Sequence, residues 1–599
     1  MPPPKNKRRP FETDSAPISK KPVQPSPFEP SHGSVFRFFQ QHGIRETVES
    51  IIIAVVLAMM FRTFGGEAYI IPTGSMAPTL QGQHMDVHCD KCNTQYLTGS
   101  SDDNSTVEVS KRRRVTTTFC PFCRSPMVMR PSANAEHVSN QGDRIVVNKF
   151  IYDFMQPRRF DVIVFKNPNN GKQNYIKRLV GLPNEKLKIE NGDLFTMESA
   201  DGKTWNSTIV RKPDYKLKAM LQIVDDTNFI AAELHKANWP LRWNEWANLK
   251  SSAWSNMLGG NRPVYSIGAD ASDKKWLRYR HLLPNPSIWE QIKAGKTFED
   301  YASAHFGELI GDYYCYNQRR VAGTEPHYTD SPALHWVGDL ALQADVEIKS
   351  GTGKLYFDLV EGGVHFEVTI DVATGTATLT NSAGLKFYSE DRKVETDAPT
   401  ADSPIRGPGK YEVMFSNTDD QLRLWINGRQ IRFDADCYDP SRRIHPAWSR
   451  SDPGDAEPLG VAATGLAVSV SRLRVWRDIY YSSVKGYSGP GNNSRNETQQ
   501  DAELIRNMME NPQSWDSPGA KRILGARFRD GGPMFELEEQ QFLPMGDNSP
   551  DSLDARIWNG DHFVSGELMI GRALYVFWPH AKSAPIPYWP NFERMGPIR

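Results

Sequence analysis

Three stretches of the chain hold side chains whose types and spacing could do chemistry. The first is YIIPTGSMAPTL, residues 69–80, where Ser75 follows Thr73 and Gly74 in a turn of small residues. A serine hydroxyl is a weak nucleophile until a base takes its proton and donors stabilise the oxyanion that follows. Thr73 offers a hydroxyl donor beside the Ser75 backbone N–H, and Gly74 lets the chain turn that closely. The second stretch is NYIKRLVGLPNE, residues 174–185, with two cations inside an apolar strand. Strand alternation sends Lys177 and Arg178 to opposite faces. Arginine keeps its proton, whereas a desolvated lysine can become a neutral base near working pH. Taken singly, the serine is an ordinary turn residue and the cations are edge-strand charges that discourage aggregation.

The third stretch carries Cys89-x2-Cys92 and Cys120-x2-Cys123. This knuckle spacing lets four thiolates close a tetrahedron around zinc, a structural site with no open coordination position. Two disulfides are the competing reading if the segment lies outside the cytoplasm. His84 and His88 read as solvated neighbours and not as ligands, and Cys315 with Cys437 is a candidate disulfide. Six cysteines in 599 residues make no disulfide-dense scaffold.

The elements that must position these residues follow from the pattern around them. The chain is 39% hydrophobic with a formal net charge of zero, which gives no basic field for nucleic acid. Residues 1–33, rich in Pro, Ser and Lys, read as a disordered basic tail on the cytoplasmic side. Residues 34–66 read as an interfacial helix leading into a transmembrane helix, with Glu49 and Arg62 flanking an uncharged core from Ser50 to Phe61. That core is shorter than the roughly 20 residues of a span, so a buried soluble helix is the competing reading. A cleavable secretory signal fits poorly, because the tail is long and GGEAYIIP lacks a good small-residue cleavage site.

Beyond the helix, GDRIVVNKF, FDVIVF, NYIKRLVGLP and GRALYVFWP read as strands of one unit. The expected fold is mainly β. A catalytic core in three pieces, 67–88, 141–200 and 534–599, is interrupted by a zinc-ribbon-like insert at 89–130 and a β-sandwich insert at 201–533. Within the larger insert DLALQADVEI, VHFEVTIDVATGTATL, YEVMF, LRLWINGRQI and LAVSVSRLRVWRDIYY alternate with period two, and Asn427-Gly428 is a hairpin signal.

IPTGSMAPTL, GDRIVVNKF, FDVIVFKNP, YIKRLVGLPNE and MGDNSPDSLDARIW stand in the order and placement seen in bacterial signal peptidase I. Over residues 44–88, 141–195 and 535–590 the chain resembles that family. The resemblance implies a Ser-Lys dyad cutting preproteins after a small-x-small motif, with Ser75 as nucleophile, Lys177 as general base and Thr73 as oxyanion donor. It implies that Ser552 orients the lysine, that Asp554 and Arg556 form a supporting ion pair, and that Gly546, Asp547 and Asn548 shape the adjoining turn. Ser549, Pro550 and Asp551 depart from the family's usual wording. The implied place is the bacterial inner membrane, single-pass, with the catalytic unit on the periplasmic side. The partners are signal peptides of preproteins and membrane lipid, with no nucleic acid and no cofactor for catalysis.

The larger insert resembles the jelly-roll of concanavalin-like lectins and glucanases in strand wording alone, which makes a glycan or envelope partner a guess at the level of fold. The competing function is an envelope binding protein carrying that jelly-roll on an inactive peptidase-like core. Ser75, Lys177 and Ser552 together speak for the enzyme, and the insert is expected to be a separable module whose removal between 205 and 530 leaves cleavage intact.

Overall fold

The computed structural model describes residues 42–60 and 66–599, except 102–113, 200–205, 260–261, 323–334, 441–444, 483–504, 506, 516, 520–533, 559–560 and 582–588. The expected basic tail and interfacial segment lie outside the described residues.

Helix His42–Met60 is 19 residues long. Residues 34–41 and 61–65 of the expected segment lie outside the described residues, and among the described ones no helix is long and apolar enough to cross a membrane. The reason is length: with Glu46 and Glu49 in its first half, the uncharged run from Ser50 to Met60 rises roughly 16 Å, about half a hydrocarbon core. Ile51, Ile52, Ile53, Val55, Val56, Leu57 and Met59 are all exposed on it.

Residues Gly65–Arg599 form a second compact unit. Eight strands from distant parts of the sequence make the sheet that matters for the site. They are Glu67–Ile70 (β1), Arg144–Asn148 (β2), Val162–Asn167 (β3), Asn170–Gly181 (β4), Gln541–Met545 (β5), Val564–Ser565 (β6), Met569–Trp578 (β7) and Gly596–Pro597 (β8). Their order is β1-β2-β7-β3-β4-β5-β6, with β8 on β7 and neighbours antiparallel. Alternation along β3 divides its apolar side chains between two cores. Val162 and Val164 join Met76, Leu80 and Val147, whereas Ile163 and Phe165 join Leu179, Met545 and four residues of the large insert, Val210, Met220, Ile479 and Tyr481.

The register sets the site. Ile163 faces Lys177 across β3 and β4, and Met545 faces Arg178 across β4 and β5. The loop leaving β5 therefore starts beside the two cations. A four-stranded sheet pairs Met534–Glu536, just after the large insert, with Lys186–Glu190, just before it. Those flanking segments are hydrogen-bonded neighbours.

Strands Leu340–Glu361 and Leu459–Arg477 run antiparallel through the insert and share an apolar core with Leu342, Phe357, Phe366 and Phe415. Asn427 and Gly428, with φ of 50° and 76°, make the hairpin turn its sequence signals.

Candidate active site

Ser75 sits in a single 3-10 turn, Gly74–Met76, entered from extended backbone at Thr73. Lys177 comes from β4, and its Nζ lies 2.5 Å from Ser75 Oγ. Both are nearly out of solvent, at 8% and 4% exposure. Burial pushes the Lys177 amine down to about 8, while Asp554 pulls it up, Arg556 pushes it down and Asp547 pulls it up. Because the charged neighbours oppose one another, desolvation decides the direction. A lysine in this state shares its proton readily with a hydroxyl at hydrogen-bond distance.

The loop after β5 holds the turn from the other side. Asn548 donates its backbone N–H to the Ser75 carbonyl (3.1 Å) and its side-chain amide to the Gly74 carbonyl (3.0 Å). Gly546 has no side chain for a physical reason: a Cβ there would stand 2.1 Å from Ser552 Oγ and 2.4 Å from the Ser75 carbonyl oxygen. Its N–H donates to Asp554 (2.9 Å), whose carboxylate is also gripped by both ends of the Arg556 fork (2.9 and 2.7 Å). The Arg556 guanidinium beside it keeps Asp554 ionised in spite of its burial. The expected ion pair is present and acts on the turn through Gly546.

Ser552 lies at the same turn, 6% exposed, and its Oγ has no hydrogen-bond partner, Lys177 included. Thr73 is exposed, and its side chain caps no backbone group of the turn. Ser549, where the wording departs from the signal peptidase pattern, accepts hydrogen bonds from Arg556 (2.7 Å) and the Ser482 N–H (3.1 Å).

Arg178, flagged in the sequence only as the neighbour of a base, forms a two-pronged pair with Asp547 (2.7 and 2.7 Å), both side chains fully buried. Thr79 donates to the same carboxylate at 2.5 Å. On opposite faces of β4, one cation meets Ser75 and the other pairs with Asp547 in the loop that supports it.

Sequence reasoning missed the large insert's share in this site. Asn317 exchanges two amide hydrogen bonds with Asn548 (2.7 and 2.8 Å). Tyr316 packs its ring where side chains on Gly74 and Gly99 would be, and donates to the Gln83 carbonyl (3.2 Å). Arg556 donates to the Ser482 carbonyl (3.0 Å). The insert therefore contributes contacts to the site, which the reading of a separable module did not foresee. No local periodicity marks CYNQ, residues 315–318, for such a role.

The four clustered cysteines are brought together. Their sulfur atoms all lie within 4.8 Å of one another, and all four residues are buried. All six cysteines are free, so the candidate Cys315–Cys437 bond is absent: Cys315 packs against the Cys89–Cys123 cluster and Cys437 against Asp436 in the insert. His84 is also corrected. It is fully buried, bonded to the Gly82 carbonyl (2.6 Å) and to His580 (2.8 Å), and burial pushes its imidazole down to about 4. His88 is exposed, as expected.

A family model described as signal peptidase, peptidase S26, matches residues 115–232, a span that holds Lys177 but neither Ser75 nor Ser552. The signal peptidase I of Leptolyngbya laminosa is 26% identical over 188 residues, covering 30% of this chain and 60% of that protein. A probable signal peptidase I of Synechocystis is 24% identical over 198 residues, 32% of this chain and 68% of that one. The signal peptidase I of Bacillus caldolyticus is 43% identical over 54 residues, 9% of this chain and 29% of that one. The chain thus spans about three-fifths of the first relative's length, and these matches support a core of the signal peptidase kind. Among solved structures, a galectin of Caenorhabditis elegans overlaps at a TM-score of 0.16 with 9% identity, covering 23% of this chain and 83% of the galectin. A carbohydrate-binding module from Bacillus subtilis gives 0.16 and 10%, covering 23% and 73%. Overlaps at that score carry no argument about fold or ligand.

Proposed function

We propose that this chain is a serine endopeptidase that removes signal peptides from preproteins by a Ser-Lys dyad. The observation that carries the reading is the 2.5 Å contact between a buried, desolvated Lys177 amine and the Ser75 hydroxyl. In the proposed reaction neutral Lys177 takes the Ser75 proton as Oγ attacks the scissile carbonyl carbon. Thr73 and the Ser75 N–H donate to the oxyanion. The tetrahedral intermediate collapses to an ester as Lys177 returns the proton to the leaving amine, and water, deprotonated by the same lysine, then hydrolyses the ester.

In this reading Ser552 offers its unpaired hydroxyl to the lysine during proton transfer, while Asp554, Arg556, Asp547 and Arg178 hold the loop that supports Ser75. Cleavage after small-x-small sites is part of the proposal and rests on the motif resemblance. So does attachment to the outer side of a bacterial inner membrane, supported by the exposed apolar residues of helix His42–Met60. The test is incubation of the purified chain in detergent with a preprotein bearing an Ala-x-Ala site, with product masses read by mass spectrometry. Cleavage at that site by the wild type and none by Ser75→Ala is the expected result. No cleavage by the wild type would leave the binding-scaffold reading in its place.

A further inference from the structure

We propose that Cys89, Cys92, Cys120 and Cys123 bind one zinc ion, and that this ion sets the position of Tyr316 and Asn317 and, through them, of the Ser75 turn. The second half rests on the peptidase reading only where turnover is measured.

The site is built twice over. Strands His84–His88 and Gln95–Gly99 pair as one hairpin, and Val115–Phe119 pairs with Pro126–Val128 as the other. Each turn carries two of the cysteines and the same backbone pattern. The Cys89 N–H donates to the Thr94 carbonyl (2.8 Å) and the Cys120 N–H to the Ser125 carbonyl (3.1 Å), five residues on in each case. The N–H groups of Asn93 and Arg124 return to the carbonyls of Cys89 and Cys120 (3.0 and 3.1 Å), and both residues have positive φ, 66° and 55°. Two unrelated sequences, DKCNT and PFCRS, thus fold into one knuckle geometry that points all four sulfur atoms at a common centre.

Sulfur separations decide between a metal and disulfides. Cys89 to Cys123 is 3.6 Å and Cys92 to Cys120 is 3.4 Å. A disulfide needs about 2.05 Å, whereas a tetrahedron with metal–sulfur bonds of about 2.3 Å has edges of about 3.8 Å. The closest pairs run between the knuckles, and every sulfur is near all the others, which suits one central ion. Four soft thiolates in a closed tetrahedral set suit zinc, with iron as the alternative that elemental analysis distinguishes. The short hairpins bury little apolar surface of their own, and Phe122 and the cysteines complete their core against Trp289 and Phe298 of the large insert.

From the knuckles a continuous set of contacts reaches Ser75. Strand Arg319–Val321 of the insert pairs with Val115–Phe119 of the second hairpin. The turn Cys315–Asn317 immediately precedes it. Tyr316 fills the space above Gly99 on the first hairpin and Gly74 beside the nucleophile, and Asn317 holds the Asn548 amide that binds the Gly74 carbonyl. Without a tie between the knuckles the two hairpins can part, and Tyr316 loses one wall of its socket.

The test uses the full chain. Elemental analysis of desalted protein is expected to give about one zinc per chain, as a closed four-thiolate site requires. Cobalt(II) exchange should give thiolate charge-transfer and tetrahedral d–d absorption. The Cys89→Ser/Cys120→Ser variant should lose the metal, and its amide hydrogens at 315–321 and 73–76 should exchange faster than in the wild type. Wild type stripped by a chelator, measured the same way, stands in if that variant does not fold. Asn317→Ala should keep its zinc, with kcat lowered about tenfold and KM unchanged. Absence of metal, or two disulfides found by mass spectrometry, overturns the site. Loss of metal with unchanged exchange at 73–76 overturns the link to Ser75. Neither the metal nor the exchange measurement needs cleavage, so a failed peptidase reading leaves both results readable.

Discussion

If Lys177 is the base, pH is the perturbation that reads it out directly. Its amine sits at about 8 instead of 10.5 because burial removes the water that would stabilise the charged form. At pH 7 about one-tenth of such amines are neutral, and at pH 9 about nine-tenths, so kcat/KM should rise roughly ninefold over that interval. The assay is hydrolysis of a peptide with an Ala-x-Ala site between pH 6 and 10, at constant ionic strength. An inflection near 8 is expected. A flat profile, or one that climbs only beyond pH 10, refutes the desolvated-base argument, and an inflection near 6.5 transfers the role to a histidine. Stability carries the same information with a definite sign. Between about pH 8 and 10.5 the unfolded chain binds more protons at this lysine than the folded one, so the lysine's destabilising effect fades as pH rises through that window. Lys177→Met should therefore be the more stable protein at pH 7. The gain is on the order of 3 kcal/mol, less about 1 kcal/mol for the hydrogen bond Ser75 loses, and it should shrink toward pH 10.5.

Ser75→Ala and Lys177→Ala should each abolish cleavage with folding intact by circular dichroism, and the double variant should be no worse than either, because nucleophile and base act as one unit. Thr73→Ala should lower kcat by about 10- to 1000-fold, the effect of removing one oxyanion donor, with Thr73→Ser nearly silent; a wild-type rate in the alanine variant refutes that role. Asp547→Asn leaves Arg178 buried without a counter-charge and should cost about 3–5 kcal/mol in denaturant unfolding. Deleting residues 205–530 removes Tyr316, Asn317 and Ser482, and the product should be at least about 100-fold less active even where it melts cooperatively, since small misplacements at a reacting centre are that costly.

Ser75 and Lys177 were legible in the sequence only together: each local pattern is ordinary by itself, and it was the ordered set of motifs around both that singled them out. The cysteine knuckles were legible because ligand spacing is local. Tyr316 and Asn317 were not, because their role exists only once residue 317 meets residue 548 across 231 positions. His84 was misread for a related reason. In HMDVH the alternation leaves His84 and His88 on one side of the strand, and only His580, 496 positions away, decides that His84 is buried while His88 stays wet. The shortness of the uncharged run after Glu49 was legible in the sequence, and among the described residues no helix reaches the length of a span.

The bond from the Asn548 amide to the Gly74 carbonyl joins residues 474 positions apart. During synthesis at about 5–20 residues per second, the nascent chain carries its serine for roughly 25–95 s before the loop that fixes that serine emerges from the ribosome. Lys177 follows Ser75 by only 102 positions, so the two reactive groups are both made long before their support. The Ser75–Lys177 pair is thus complete in sequence long before the segment that holds the Ser75 turn, so a chain that stops short of residue 548 carries both side chains without that support.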